Sequence, residues 1–473
     1  MPHATDTRQH YGLTFAVLAM GGAAYALLQS LVAPALPDIQ RELHTSATSA
    51  TWVLTAYLLS ASVVTPIAGR LGDMFGKART LVIALSVLAL GTLVAALAQD
   101  VTVLIAGRVI QGAGGAVFPL AFGIIRDEFP RERVATGIAL ISAILGIGGG
   151  LGIVLAGPII DALSYHWLFW FPLIPVVVST ALAILFVPES PVKVPGRINW
   201  TGAMLLSGWL VCGLLGVSQG AQWGWGDPRV LGLFAAALVG CVLWVRNEWA
   251  APEPLVDMRM MRLRGVWTVN VAAFLIGAGM FCSFVLIPQF VEEPSAAGFG
   301  FAATVTQAGL FLVPSTVMML VVSPLAGRLA NRVGSRVPLV LGALACTVSF
   351  SFLAAAHDHR WEIYVAATML GIGIGLAFAS LANLIVEAVP PEQTGVATGM
   401  NTVMRSLGGS VGGQVGASII AGSVAASGLP TEHGFTLAFA FAAVVCAGSV
   451  VSALAVPAPG RRRAVAEPAS APA

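Results

Sequence analysis

Arg108 and Arg405 each sit about seven to eleven residues inside a long apolar run, which at 1.5 Å per helical residue is about 10 to 16 Å from the run's end. A guanidinium at that depth in hydrocarbon is costly, so it must face a polar partner or an aqueous cavity, and by default it marks a functional site. Tyr25, Gln29, Gln111 and Gln307 share such runs and are candidates to line the same cavity, with interhelical hydrogen bonding as their alternative use. None of the 22 acids falls near the middle of an apolar run; Asp38, Asp161 and Glu387 come closest, each near an end. A cavity with two arginines and no carboxylate predicts a neutral or anionic solute. If protons drive the process, the titrating group is not a central carboxylate, and Asp38, Asp73 and Asp161 are to be considered.

A second constellation is the short loop Gly69-Arg70-Leu71-Gly72-Asp73-Met74-Phe75-Gly76-Lys77-Ala78-Arg79. Gly69 and Gly76 permit a tight turn, while Asp73, one acid among three bases, needs a cation or a helix N-terminus as partner. Such a pair, made in one conformation and broken in another, biases the equilibrium between them. Glycines four residues apart, Gly148 and Gly152 in one run and Gly408, Gly412 and Gly416 in another, let helices approach closely. Gly148, Gly152, Gly157 and Pro158 are the candidate gating positions.

Catalytic chemistry finds little material. Gly408-Gly409-Ser410-Val411-Gly412 matches a nucleophile-elbow spelling, but it lies in an apolar helical run rather than a strand-turn-helix, with no His or acid nearby. None of the seven histidines is mid-run, and the five cysteines lack metal-ligand spacing. No enzyme activity, metal or cofactor is expected. A sensor or scaffold is the rival from another class, and it would need a large soluble domain or long tails.

The elements that must position these residues are membrane helices. The chain has 473 residues, 57% hydrophobic and 10% charged, with mean hydropathy +0.87, which does not describe a water-soluble surface. Spans need about 20 apolar residues, and fourteen such runs follow one another, the first from near residue 13 and the last from near residue 434. An even number puts both termini on one side. With that side cytoplasmic, all but Arg41, Arg229, Arg360 and the two intramembrane arginines of the 24 Lys and Arg fall on it, as basic residues should. A net charge of +2 gives no nucleic-acid signal. Short loops and abundant Ala and Gly suit a bacterial cytoplasmic membrane.

The chain is internally duplicated. Gly69-Arg70-Leu71-Gly72-Asp73 returns as Gly327-Arg328-Leu329-Ala330-Asn331, and Val134-Ala135-Thr136-Gly137 as Val396-Ala397-Thr398-Gly399, in the same order. The expected organisation is a disordered tail at 1–12, a six-helix bundle at 13–190, linkers and two inserted helices at 191–262, a second six-helix bundle at 263–456, and a disordered tail at 457–473. Substrate sites of such repeats lie near the midplane between them.

The loop motif Gly-x-Leu-x-Asp-x-x-Gly followed by bases, with Arg108-Val109-Ile110-Gln111-Gly112 in the fourth run, resembles the major facilitator superfamily over nearly the whole chain. Fourteen helices, Ala35-Leu36-Pro37 closing the first, and Trp52 and Tyr57 in the second are similar to its drug/proton antiporter branch. The chain departs from that branch at Leu28, where an aspartate is usual, at Gly157-Pro158, displaced from the fifth-helix pattern, and at Asn331, which replaces the second loop acid. The resemblance implies an all-α membrane protein of the major facilitator fold that works by alternating access. Proton-coupled efflux of small organic compounds is the leading expectation, with lipid-like export or uptake of an anionic metabolite as alternatives. Its partners would be a small-molecule substrate, protons and the lipid bilayer, with a monomer sufficient.

Overall fold

The computed structural model describes residues 11–190, 193, 197–294, 298–424 and 429–457. Fourteen helices of membrane-spanning length follow in order: α1 (Tyr11–Ser30), α2 (Ala47–Phe75), α3 (Lys77–Ala96), α4 (Val101–Glu128), α5 (Arg131–Ala162), α6 (Trp167–Phe186), α7 (Trp200–Trp223), α8 (Pro228–Ala250), α9 (Arg264–Glu292), α10 (Val305–Val333), α11 (Arg336–Ala355), α12 (Arg360–Ala388), α13 (Thr394–Ala421) and α14 (Glu432–Ala455). Among the described residues thirteen helices are long and apolar enough to cross a membrane. The fourteenth, α13, has the length but carries Asn401, Arg405, Gln414 and many glycines. Tyr11 and Gly12, expected in the first tail, already belong to α1; the rest of that tail and residues 458–473 lie outside the described residues.

Helices are what lipid demands, since an unpaired backbone N–H or C=O has no water to bond there. Their ends are fixed by side-chain caps readable in the sequence. Ser46, Asp100, Asn199, Asp227 and Thr431 accept backbone N–H groups at the starts of α2, α4, α7, α8 and α14, each worth about 1 kcal/mol. Gly76 (φ +114°) and its repeat counterpart Gly334 (φ +87°) stop α2 and α10 in a conformation that only glycine adopts without strain.

The end of the bundle where α1 begins and α14 finishes is termed the near end. Tyr11 there meets Phe129 with ring centroids 5.6 Å apart, and Arg264 Nε donates to Ala455 O at 3.2 Å. At the opposite, far end, Tyr165 donates its hydroxyl to Ala98 O at 2.7 Å. Burial pushes this phenol up to about 12, so it remains a donor that ties the α5–α6 loop to the α3–α4 loop.

Two large apolar cores form. One draws on α1 to α6 with Ala382 and Val386 of α12, the other on α9 to α14 together with α7, Trp244 of α8 and the linker residues Leu255, Val256 and Met258. The two groups of six helices meet where α2 packs on α13 and where α5 packs on α10 and α12. Of the inserted pair, α8 is the least buried of the membrane-spanning helices and packs mainly on α7, whereas α7 touches both α2 and α13.

Candidate functional site

A cavity of about 420 Å³ lies between the two helical groups. Its walls come from the middle and far portions of α1, α2, α4, α5, α7, α9 and α13, and it reaches just past the end of α1, where Ala33 is exposed. Tyr25, Phe118, Phe281 and Phe284 supply aromatic surface, and Gln29, Thr402, Ser406 and Gln414 supply hydrogen-bonding groups. Arg405 is the only charged residue on this wall among the described residues. Its guanidinium carbon sits 4.8 Å from the Phe378 ring centroid, a cation–π contact that holds the charge without neutralising it.

Tyr25, Gln29 and Arg405 therefore stand on the cavity, while two other residues expected there stand behind its wall. Arg108 is fully buried: Nε donates to Val53 O at 3.0 Å, and one terminal nitrogen donates to Leu28 O at 3.0 Å and to Gln111 Oε1 at 2.7 Å. Gln111 passes the chain on to Thr92 Oγ1 at 3.0 Å, and the Tyr57 ring covers the guanidinium with its centroid 4.1 Å away. This arginine clamps α1, α2, α3 and α4 together through carbonyls and an amide. Leu28, noted above as a departure from the usual aspartate, contributes its backbone oxygen. Gln307 is a clear correction. The helix begins later than the apolar run, so Gln307 is exposed at the start of α10, exchanging hydrogen bonds with Thr304 at 3.2 and 3.3 Å. The Thr-x-x-Gln spelling of this capping box was visible in the sequence.

Opposite the cavity, the near end is shut. Asp73 is 1% exposed, and its two carboxylate oxygens accept Gly395 N–H and Val396 N–H, both at 3.1 Å, across the boundary between the helical groups. These are free N–H groups of the first turn of α13, where the helix dipole also favours an anion. Gly69 makes the approach possible, because a Cβ there would come within 2.4 Å of Gly395 O. Lys77, also fully buried, lies 4.0 Å from Asp73 and 2.6 Å from Asp127. Glu189 accepts the N–H groups of Ala78 and Arg79 at 3.2 Å each, and a Cβ at Gly76 would strike its carboxylate. Arg126 adds bonds to Thr394 Oγ1 and Val389 O. Arg70 lies beside this cluster on the last turns of α2, with its Nε buried and unbonded among the described residues.

The expected loop is mostly helix, with residues 69–75 in α2 and 327–333 in α10 and the turn confined to Gly76 and Gly334; the second copy does the same thing with altered chemistry. Asn331, the counterpart of Asp73, donates to Glu132 O at 3.1 Å at the start of α5, and Gly327, the counterpart of Gly69, fits against Thr136. An acid receives N–H groups on one side of the boundary; an amide gives an N–H on the other.

The glycines divide by helix face. A Cβ at Gly148 or Gly152 would meet Ala26 or Ser30 of α1, within one helical group, and Ser30 Oγ donates to Gly148 O at 2.8 Å. A Cβ at Gly146 or Gly150 would instead meet Met319 or Thr316 of α10, across the boundary, at 2.0 Å. Gly157 faces Thr306 of α10 more loosely, and Pro158 lies inside α5. Two residues are about 200° of helix rotation, so spacing alone does not say which set faces the other helical group. Of the other candidate proton carriers, Asp38 pairs with Arg41 at the far end, and the Asp161 side chain lies outside the described residues. Among residues not singled out from sequence, Leu214, Val217 and Ser218 of the inserted α7 lie on the cavity wall.

Comparison with known proteins bears on the family and the fold. The chain is 30% identical over 394 residues to the tetracenomycin C resistance and export protein of Streptomyces glaucescens, covering 81% of this chain and 71% of that one. It is 28% identical to multidrug resistance protein 3 of Bacillus subtilis, covering 83% and 77%. In fold it matches the crystal structure of the human organic anion transporter MFSD10, with TM-score 0.63 and 15% identity over 96% of this chain and all of that one. The family profile spans residues 18–413, which takes in both copies of the duplicated segment, Arg108 and the part of α13 that carries Arg405. The chain is a multi-pass membrane transport protein and belongs to the Major Facilitator Superfamily.

Proposed function

We propose that the protein exports small organic compounds from a bacterial cell by alternating access between its two six-helix units, 13–190 and 263–456, with proton uptake as the driving force. The observation that carries this reading is the cavity bounded by both helical groups and closed at the near end by Asp73 on α13. Relatives named for tetracenomycin C resistance and export and for multidrug resistance support the substrate class. The basic residues gathered at the near end support placing that end and both termini in the cytoplasm of a cytoplasmic-membrane protein, so the cavity faces outward. One chain contains both units, and a monomer suffices. Asp73 is the proposed proton acceptor, because the switch must strip this carboxylate of its N–H partners and protonation removes the charge those partners hold.

Arg405 without a carboxylate on the same wall favours aromatic anions and neutral compounds over cations. The test uses liposomes with a trapped pH dye, to which anilinonaphthalene sulfonate, chloramphenicol and ethidium are added in turn. The anion and the neutral compound should move protons and ethidium should not. Arg405→Gln should lower the rate with the anion about tenfold and leave chloramphenicol nearly unchanged. Proton movement with ethidium alone would overturn the charge preference, and solute flux without proton movement would overturn the coupling.

A further inference from the structure

The inserted helix α7 has two faces with different surroundings. Trp209 stacks obliquely on Trp244 of α8, with ring centroids 6.0 Å apart, and Gly240 of α8 fits against Trp209. Leu214, Val217 and Ser218, spaced three and four apart on one side of the helix, lie instead on the cavity wall. Ser218 Oγ is 3.3 Å from Thr55 Oγ1 of α2, and just beyond α7 Trp225 Nε1 donates to Ser418 Oγ of α13 at 3.2 Å. The helix thus spans the seam at which α2 and α13 meet, tethered at its far end to both helical groups.

We infer that α7 is part of the substrate-binding surface: Leu214 and Val217 pack on the apolar body of an aromatic anion held at Arg405, and Ser218 offers it a hydrogen bond. By the same placement α7 separates the bound compound from lipid along the α2–α13 seam. A span added only for topology or stability would present to that cavity nothing that selects among compounds. Here the three α7 residues line the same cavity as Phe281, Phe284 and Arg405. The inference rests on the reading of this cavity as the transport site, and the experiment separates the two.

In a variant with the five native cysteines replaced by alanine that retains transport, single cysteines are placed at Ser218, at Gln414 on the α13 wall, and at Met204, which is 67% exposed on α7. Maleimide labelling rates are measured in lipid nanodiscs with and without saturating anilinonaphthalene sulfonate. Protection of at least fivefold at Ser218→Cys and Gln414→Cys, with none at Met204→Cys, is the expected result. Protection at Gln414→Cys alone overturns the role of α7 and leaves the cavity as the site. Protection at neither cavity position overturns both, and equal protection at all three points to a global change rather than contact and overturns the role of α7. Where Ser218→Cys does not insert, Val217→Cys takes its place with the same outcomes.

Discussion

The near-end closure predicts a large effect from a change of one atom. In Asp73→Asn the side chain keeps one acceptor oxygen and turns an NH2 toward the second backbone N–H of α13. Hydrogen bonds to a charged group are worth about 1.5–3 kcal/mol each, and a charge at a helix N-terminus adds about 0.3–1 kcal/mol. Loss of one bond and of the charge removes about 2–4 kcal/mol from the near-closed state, which is about 30- to 1,000-fold in the equilibrium. Lys77 retains Asp127 at 2.6 Å, so the substitution does not strand a buried cation. Single-molecule energy transfer between dyes at Phe75 and Val333 reports the near end, and between dyes at Leu97 and Trp361 the far end; all four side chains are exposed. The variant should populate a state with a longer near-end and a shorter far-end distance. Distance distributions identical to those of the parent protein would refute the claim that this carboxylate holds the near end shut.

Arg108→Ala strands the Val53 and Leu28 carbonyls and Gln111, each at about 1–3 kcal/mol. It should lower the unfolding temperature in detergent and abolish transport, with Arg108→Lys restoring only part of both because one ammonium cannot span the same acceptors. Gly150→Leu drives a side chain into Thr316 across the boundary between helical groups and should abolish transport while membrane insertion, measured by yield and monodispersity, stays normal. Unchanged flux in that variant would show that α5 and α10 do not need close contact during the cycle.

Much of this protein follows from one-dimensional patterns. Apolar runs of span length report the solvent directly, so the chain announces its helices, and alternation of basic loops predicts their order across the bilayer. The duplicated loop identifies the two groups, and glycines at 76 and 334 take the positive φ that the turns require. An acid among bases has to be paired, and Asp73 lies beside both a cation and a helix start. What the sequence withholds is rotation about each helix axis. In water a helix shows its orientation through a polar face, but lipid and protein core are equally apolar, so Arg108 and Arg405 look alike although one is spent on carbonyls and the other faces a cavity. Gly146 and Gly150 differ from Gly148 and Gly152 only in helical phase, and α7 reads only as an insertion between the halves although it lines the cavity. Those distinctions depend on which helix packs against which face, and only the tertiary structure fixes that.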